Sequence, residues 1–275
     1  MPIIFNKNKH KYECAICLII RDESEYLQEW LEWHIGQRVQ HFYIYDHDSK
    51  YPITEFVKTL PQQIQDKITI IGWSGSHKNA QPEAYNHCLQ HYGKDCKWLG
   101  FIDADEHVRI KTGQPLPEFL KDYTAYAGVY AIWEMFGANG QKYKSAIPLR
   151  DRFTKESPSK ACAGMGKVFV QPHLIKEMVI HNAYPINGYD IVGEHKDIVP
   201  DANWWKDNPT TDLICVDHYF TKSYEEWLEK LKRGRCHFDF PRKYDEFFEY
   251  NPNMEYCREA VSITQDYEIS TKEAN

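Results

Sequence analysis

Residues 98–108 read WLGFIDADEHV. An apolar run, Trp98 to Ile102, gives way at once to Asp103, Asp105 and Glu106, with only Ala104 between the two aspartates. The run has the length and the abrupt polar stop of a strand buried on both faces. Carboxylates crowded at a strand tip repel one another unless a cation faces them. Two aspartates one residue apart can present oxygens to one hard divalent cation, so Mn²⁺ or Mg²⁺ is the expected cofactor. A turn built from Asp is the plainer alternative.

Three similar runs precede this one. Cys14–Ile20, His41–Tyr45 and Ile68–Trp73 are expected to be strands. Between them Tyr26, Leu27, Trp30, Leu31, His34 and Ile35 recur at helical spacing up to Gly36, and helices are expected over 53–60 and Glu83–Tyr92. The resulting β-α-β-α-β-α-β order predicts an α/β fold with a parallel sheet and helices on both faces. Ligands bind such sheets outside the carboxyl ends of the strands. Arg21-Asp22-Glu23, Asp46 and Asp103-Ala104-Asp105 all fall at such ends.

Beyond Glu106 the pattern loosens. Strands are expected at Tyr126–Met135, Lys167–Val170, Met178–Ile180 and Ile214–Phe220, with loops over 138–165 and from Tyr184 to Asp212. Ser223–Gly234 reads as a helix whose Ser223 and Glu226 form a capping box.

The bulk numbers exclude some classes. The 275 residues are 42% apolar and 27% charged, an ordinary balance for a globular chain, and 15% are aromatic. A formal charge of −7 gives no field that would attract nucleic acid. No apolar run approaches the ~18 residues that span a bilayer, and the polar N-terminus does not resemble a signal peptide. A cytoplasmic location is expected, with at most peripheral contact at the inner face of a membrane. The eight cysteines are irregularly spaced. Cys14 and Cys17 form a CxxC inside a strand, where residues three apart face opposite ways, so structural thiols are expected rather than a metal site.

Three segments, WLGFIDADEHV, EYLQEWLEWHIGQRVQHFYIYDHDS and DHYFTKSYEEWLEKLKRG, in this protein resemble glycosyltransferase family 92 and its bacterial relatives within the family-2-like group. The resemblance runs from Cys14 to Arg235. It implies a GT-A fold, Rossmann-like, with a mostly parallel central sheet flanked by helices and an irregular C-terminal acceptor-side portion. It divides one domain, 1–250, into a nucleotide-sugar half over about 12–110 and an acceptor and metal half over about 111–250, followed by a polar tail at 251–275. The implied partners are a nucleotide-sugar donor, most readily UDP-linked, and a glycan or glycolipid acceptor, with galactose as the leading sugar and bacterial surface polysaccharide or lipooligosaccharide assembly as the setting.

The same resemblance implies roles. Asp103 and Asp105 become the DxD contacts to metal and ribose-diphosphate, with Glu106 in support. Arg21-Asp22-Glu23 lines the nucleoside pocket, although Asp22 stands where Asn is more common and, with Glu25 three residues on, equally suits a helix cap. Asp46 reads base or ribose, or else shapes a turn. Gln81 and Asn86 belong to the helix under the donor site. His218 completes the metal set, with His181 as the alternative. A departing diphosphate needs positive charge, for which Lys167, Lys222, Lys230, Arg233 and Arg235 are candidates. Transfer with inversion needs a carboxylate base. Glu134, in the W-x-x-F-G segment Trp133–Gly137, is the first choice, and Asp190 and Glu194 are alternatives. The rival classes are a glycoside hydrolase, whose acids must stand apart, a nucleotidyltransferase, which would want a glycine-rich phosphate loop, and a sugar-binding module with no need of the DxD.

Overall fold

The computed structural model describes residues 10–75, 79–200, 206–234, 242–255 and 257. The first half alternates as expected: β1 (Tyr12–Ile20), α1 (Ser24–Gly36), β2 (His41–Asp46), α2 (Ile53–Val57), α3 (Gln62–Gln65), β3 (Ile68–Gly72), α4 (Ala80–Tyr92) and β4 (Cys96–Phe101). The chain continues through β5 (Glu106–Ile110), α5 (Leu116–Leu120), β6 (Gly128–Met135), α6 (Leu149–Arg152), β7 (Gly166–Val170), β8 (Ile175–Met178) and β9 (Ala183–Pro185). It ends in β10 (Ile191–Val192), β11 (Ile198–Val199), β12 (Ile214–His218), α7 (Tyr224–Arg233) and α8 (Glu246–Tyr250).

The chain forms two compact units, one of Met1–Glu134 with Ala163–Asp217, the other of Met135–Cys162 with His218–Asn275. The first unit holds a sheet ordered β11-β10-β6-β7-β4-β1-β2-β3, with β12 pairing β5 and β6. Strands β1, β2, β3 and β4 are mutually parallel, whereas β7 runs antiparallel to both β4 and β6. The chain steps outward from β1 to β2 to β3 and then returns to the other side of β1 as β4. That reversal puts a topological switch point between β1 and β4, the place where sheets of this kind bind ligands at the carboxyl ends of their strands.

Local chemistry accounts for these elements. Helix α1 buries Tyr26, Leu27, Trp30, Leu31 and His34, the stripe that its spacing announces. Its N-cap is Glu23, without a side-chain cap bond, one residue after the position expected at Asp22. Gly100 pairs with Phe169 across β4 and β7, and a Cβ there would lie 2.3 Å from the Phe169 ring. Cys14 and Cys17 are fully buried, and burial pushes both thiols up. Strand β5 goes unannounced because EHVRI begins with residues usually found on surfaces, yet Glu106 and His107 are buried. The expected strand at Met178–Ile180 lies slightly earlier, as β8, and the loop from Tyr184 to Asp212 contains the short β9, β10 and β11.

The second unit is helical. Ala138, Trp227, Phe247, Phe248, Met254 and Cys257 form its core. The capping box of α7 is present, with Ser223 and Glu226 bonding reciprocally. Asn251 is buried and bonds to Ala138, Thr221 and Phe247.

Candidate functional site

The DxD forms a tight turn joining β4 to β5. The Ile102 amide donates to the Cys17 carbonyl at 3.2 Å, which ties the turn to β1 at the switch point. The Trp30 indole donates to the Asp103 carbonyl at 2.9 Å, and the Glu106 amide donates to the same carbonyl at 3.1 Å. The Glu106 carboxylate returns a bond to the Asp103 amide at 2.9 Å. Glu106 thus braces the turn.

The Asp103 side chain is clamped from three directions. Its Oδ1 accepts from Gln81 Nε2 at 2.8 Å and from Tyr85 Oη at 3.1 Å. Its Oδ2 accepts from Lys167 Nζ at 2.8 Å. Lys167 also stands 3.8 Å from Glu106 and is 0% exposed. Burial alone would lower the lysine, but Asp103, Glu106 and Asp105 outweigh it and hold its pKa above the usual value. Burial pushes Glu106 well up, with Lys167 pulling the other way and Asp103 and Asp105 adding to the rise. Asp105 is buried at the apex of the turn.

Four of the expected donor contacts are occupied by architecture. Asp22 adopts a left-handed φ of 52°, its amide donates to Ser49 Oγ at 3.2 Å, and its Oδ1 accepts from the Lys50 amide at 2.8 Å. It ties the loop after β1 to the loop after β2. Asp46 accepts from the Ser49 amide at 3.2 Å and from the Ile53 amide at 2.9 Å, the turn-forming alternative. Asn86 exchanges two bonds with the Met178 backbone and donates to Pro82, so its amide pins β8 to α4. Gln81, 3% exposed, is part of the clamp itself. Arg21 and Glu23 are half-buried directly after β1.

The three candidate bases fare differently. Glu134 is ion-paired with Arg109 and Lys111 and accepts from Thr211, while Arg109 also forks onto Asp217. Burial would raise Glu134, but those partners outweigh it and hold its pKa low. Its partners Arg109, Lys111 and Thr211 are not those of Asp103, and its strand neighbour Trp133 packs edge-on to His181 at 5.1 Å. Asp190 precedes β10, whose Ile191 aligns through Gly128 and Val170 with Leu99. That register sets Asp190 level with Trp98, below the rim that carries Asp103. Glu194 accepts from the amides of Asp212, Leu213 and Ile214 at 2.8, 2.7 and 3.0 Å. Its carboxylate organises the start of β12. None of the three meets Asp103.

Glu194 carries a pH consequence. Burial raises its pKa, but hydrogen bonds from Thr210 and from the amides of Ile214, Leu213 and Asp212 outweigh that, so the folded value is depressed. Its stabilisation is therefore present above the unfolded value of about 4.3 and is lost as pH falls through the folded one. Glu194→Gln should melt below wild type at pH 7, and the gap should narrow by pH 3. Thermal melts at both pH values check this, and a gap that widens in acid contradicts it.

The late candidates lie in the second unit. His218 closes β12, its carbonyl accepts from the Phe136 amide at 2.9 Å, and its ring meets Phe220 at 5.6 Å. Lys222 is buried with a φ of 53°, and Lys230 donates to the Phe220 carbonyl at 2.8 Å. Arg233 ends α7, and Arg235 lies outside the described residues. Tyr85 is the site residue that sequence reasoning passed over. Its spacing of four from Gln81 on one helix face was the available signal.

A divalent ion suits this donor set. Asp103 Oδ1 already takes two donors and Oδ2 one, leaving a single direct bond, and Asp105 adds hard oxygens. Mg²⁺-type sites often use only one or two carboxylates and draw the rest from water and phosphate.

A family model described as Glycosyltransferase family 92 matches residues 12–200. A family 92 protein of Oryza sativa subsp. japonica is 24% identical over 231 residues, covering 82% of this chain and 36% of that protein. One from Ricinus communis is 24% identical over 238 residues, covering 82% and 39%. The chain therefore spans little more than a third of the length of these curated relatives. Among solved structures, the mannosyltransferase PcManGT from Pyrobaculum calidifontis, in complex with GDP-Man and Mn²⁺, aligns with a TM-score of 0.31 at 14% identity. That alignment covers 45% of this chain and 36% of the other.

Proposed function

Since the chain belongs to glycosyltransferase family 92, we propose that it transfers a sugar from a nucleotide diphosphate donor to a glycan hydroxyl. The observation that carries this reading is the rigid, clamped Asp103 beside Asp105 at the switch point between β1 and β4. A hydrolase would need two acids set apart across a bond, whereas these two share one turn.

The donor is expected to be UDP-linked, with galactose as the first sugar to try and inversion as the stereochemical course. Asp103 has one lone pair left on Oδ2, enough to accept one donor hydroxyl or make one bond to a cation. Asp105 is the proposed main protein ligand of Mn²⁺ or Mg²⁺. Such an ion, when bound, offsets the charge that gathers on a departing diphosphate. Trp30, Gln81, Tyr85 and Glu106 hold the turn still, so little reorganisation is left for the reaction. The base is not assigned to Glu134 or Glu194, whose carboxylates are committed elsewhere, or to Asp190, which sits below the rim. A glycan or glycolipid acceptor in bacterial surface assembly rests on the sequence resemblance, and the relatives above are plant proteins. No described helix is long and apolar enough to cross a membrane.

Incubation with a panel of UDP- and GDP-sugars, with and without Mn²⁺, tests the reading through nucleotide release. One donor should turn over in a metal-dependent manner. No metal-dependent release or binding with any donor sinks it.

A further inference from the structure

Lys167 was expected to face a departing diphosphate, but its ammonium lies 2.8 Å from Asp103 Oδ2 and 3.8 Å from Glu106 Oε2, fully buried. It has little freedom to leave. Strand β7 is paired to β4 and β6, and a Cβ on the preceding Gly166 would lie 2.0 Å from the Ala131 carbonyl oxygen. The backbones are in close contact next to the lysine. A fixed positive charge therefore occupies the carboxylate turn, on the only Asp103 oxygen with a lone pair to spare. Like charges a few ångströms apart in a partly buried site repel strongly.

We propose that Lys167 is a positioning residue, a built-in counter-cation that holds Asp103 ready for the donor and keeps divalent metal out of the turn until a nucleotide diphosphate brings its own oxygens. This rests on the transferase reading above. It makes metal binding conditional: the free protein binds Mn²⁺ weakly, and nucleotide and metal enter together. Loss of the lysine charge reverses this, because Asp103 and Glu106 then lose the buried ammonium that faces them. A merely structural lysine would behave in the opposite way, since its loss would disorder the turn and weaken metal binding.

The test is Mn²⁺ titration followed by the electron paramagnetic resonance signal of the free ion, with and without UDP. Wild type should bind Mn²⁺ at least tenfold more tightly with UDP than without. Lys167→Met should bind Mn²⁺ in the absence of UDP at least tenfold more tightly than wild type. Equal or weaker binding by folded Lys167→Met overturns the proposal. So does tight binding by wild type without UDP, an arm that decides the matter alone if the variant does not fold. No Mn²⁺ binding to either protein with UDP or GDP present is a separate result: it removes the metal reading, and this inference with it.

Discussion

Asp105→Asn should lower metal-dependent transfer by about 10³-fold in kcat/KM while leaving the melting temperature within a few degrees of wild type. The two halves of this expectation have different causes. Asn keeps the size and turn preference of Asp, and the backbone of the turn is held by bonds from Ile102, Glu106 and Trp30, which the substitution leaves in place. Asp105 adds to the repulsion that raises buried Glu106 but also helps hold buried Lys167 charged, so losing its charge moves the fold in two opposing directions. What disappears is the oxygen charge that would hold the cation. Donor kinetics over a Mn²⁺ series, alongside thermal melts, measure both halves. Activity within tenfold of wild type overturns the assignment of Asp105.

Asp103→Asn separates from Asp105→Asn in the second measurement. From the sequence alone it is a clean loss-of-metal variant with an intact fold. The structure changes that expectation, because Asp103 is a direct charge partner of fully buried Lys167. Weakening a charged hydrogen bond of this kind costs roughly 2–3 kcal/mol. Both variants lose transfer, and the melt tells them apart.

These residues also mark how far the sequence was legible. The first four strands and α1 announce themselves because a buried strand needs a continuous apolar run and a packed helix an apolar stripe. The DxD could be placed at the carboxyl rim for the same reason. The two-residue strands β10 and β11 are too short to show any period, and β5 hides behind Glu106 and His107, whose burial depends on distant partners. Lys167 illustrates the general limit. A lysine inside GKVFV demands a carboxylate, but nothing local says that the carboxylate is Asp103, 64 residues away. Asp46, Asn86, Glu134 and Glu194 are cases of one kind: polar residues in suggestive positions whose atoms turn out to be committed to backbone or ion pairs. A motif identifies residue type and position in the chain. Whether a carboxylate is left over for chemistry depends on contacts made across the fold.

Arg152→Met should destabilise the protein by roughly 3–5 kcal/mol, because it leaves a buried carboxylate without its cation. Arg152 forks onto Glu226, with Nη1 to Oε2 at 3.0 Å and Nη2 to Oε1 at 2.8 Å, and both side chains are almost wholly buried. Glu226 has a second duty: its Oε2 accepts from the Ser223 amide at 3.0 Å and closes the capping box of α7. The capping box is local and was legible from Ser223 and Glu226. The ion pair joins residues 74 apart and was not. Loss of the guanidinium therefore strands the charge and strains the cap, and the expected fall in melting temperature is on the order of 10 °C. The exposed pair of Lys144 and Glu229 supplies the contrast. Lys144→Ala removes a contact of similar length, 2.9 Å, between side chains 31% and 54% exposed, and should cost less than about 1 kcal/mol. Adding Glu226→Gln to Arg152→Met should recover part of the loss, since the stranded charge is then gone, although the cap is weakened. Thermal melts of the three variants decide the point. If Arg152→Met costs no more than Lys144→Ala, the buried pair is not what holds α6 to α7.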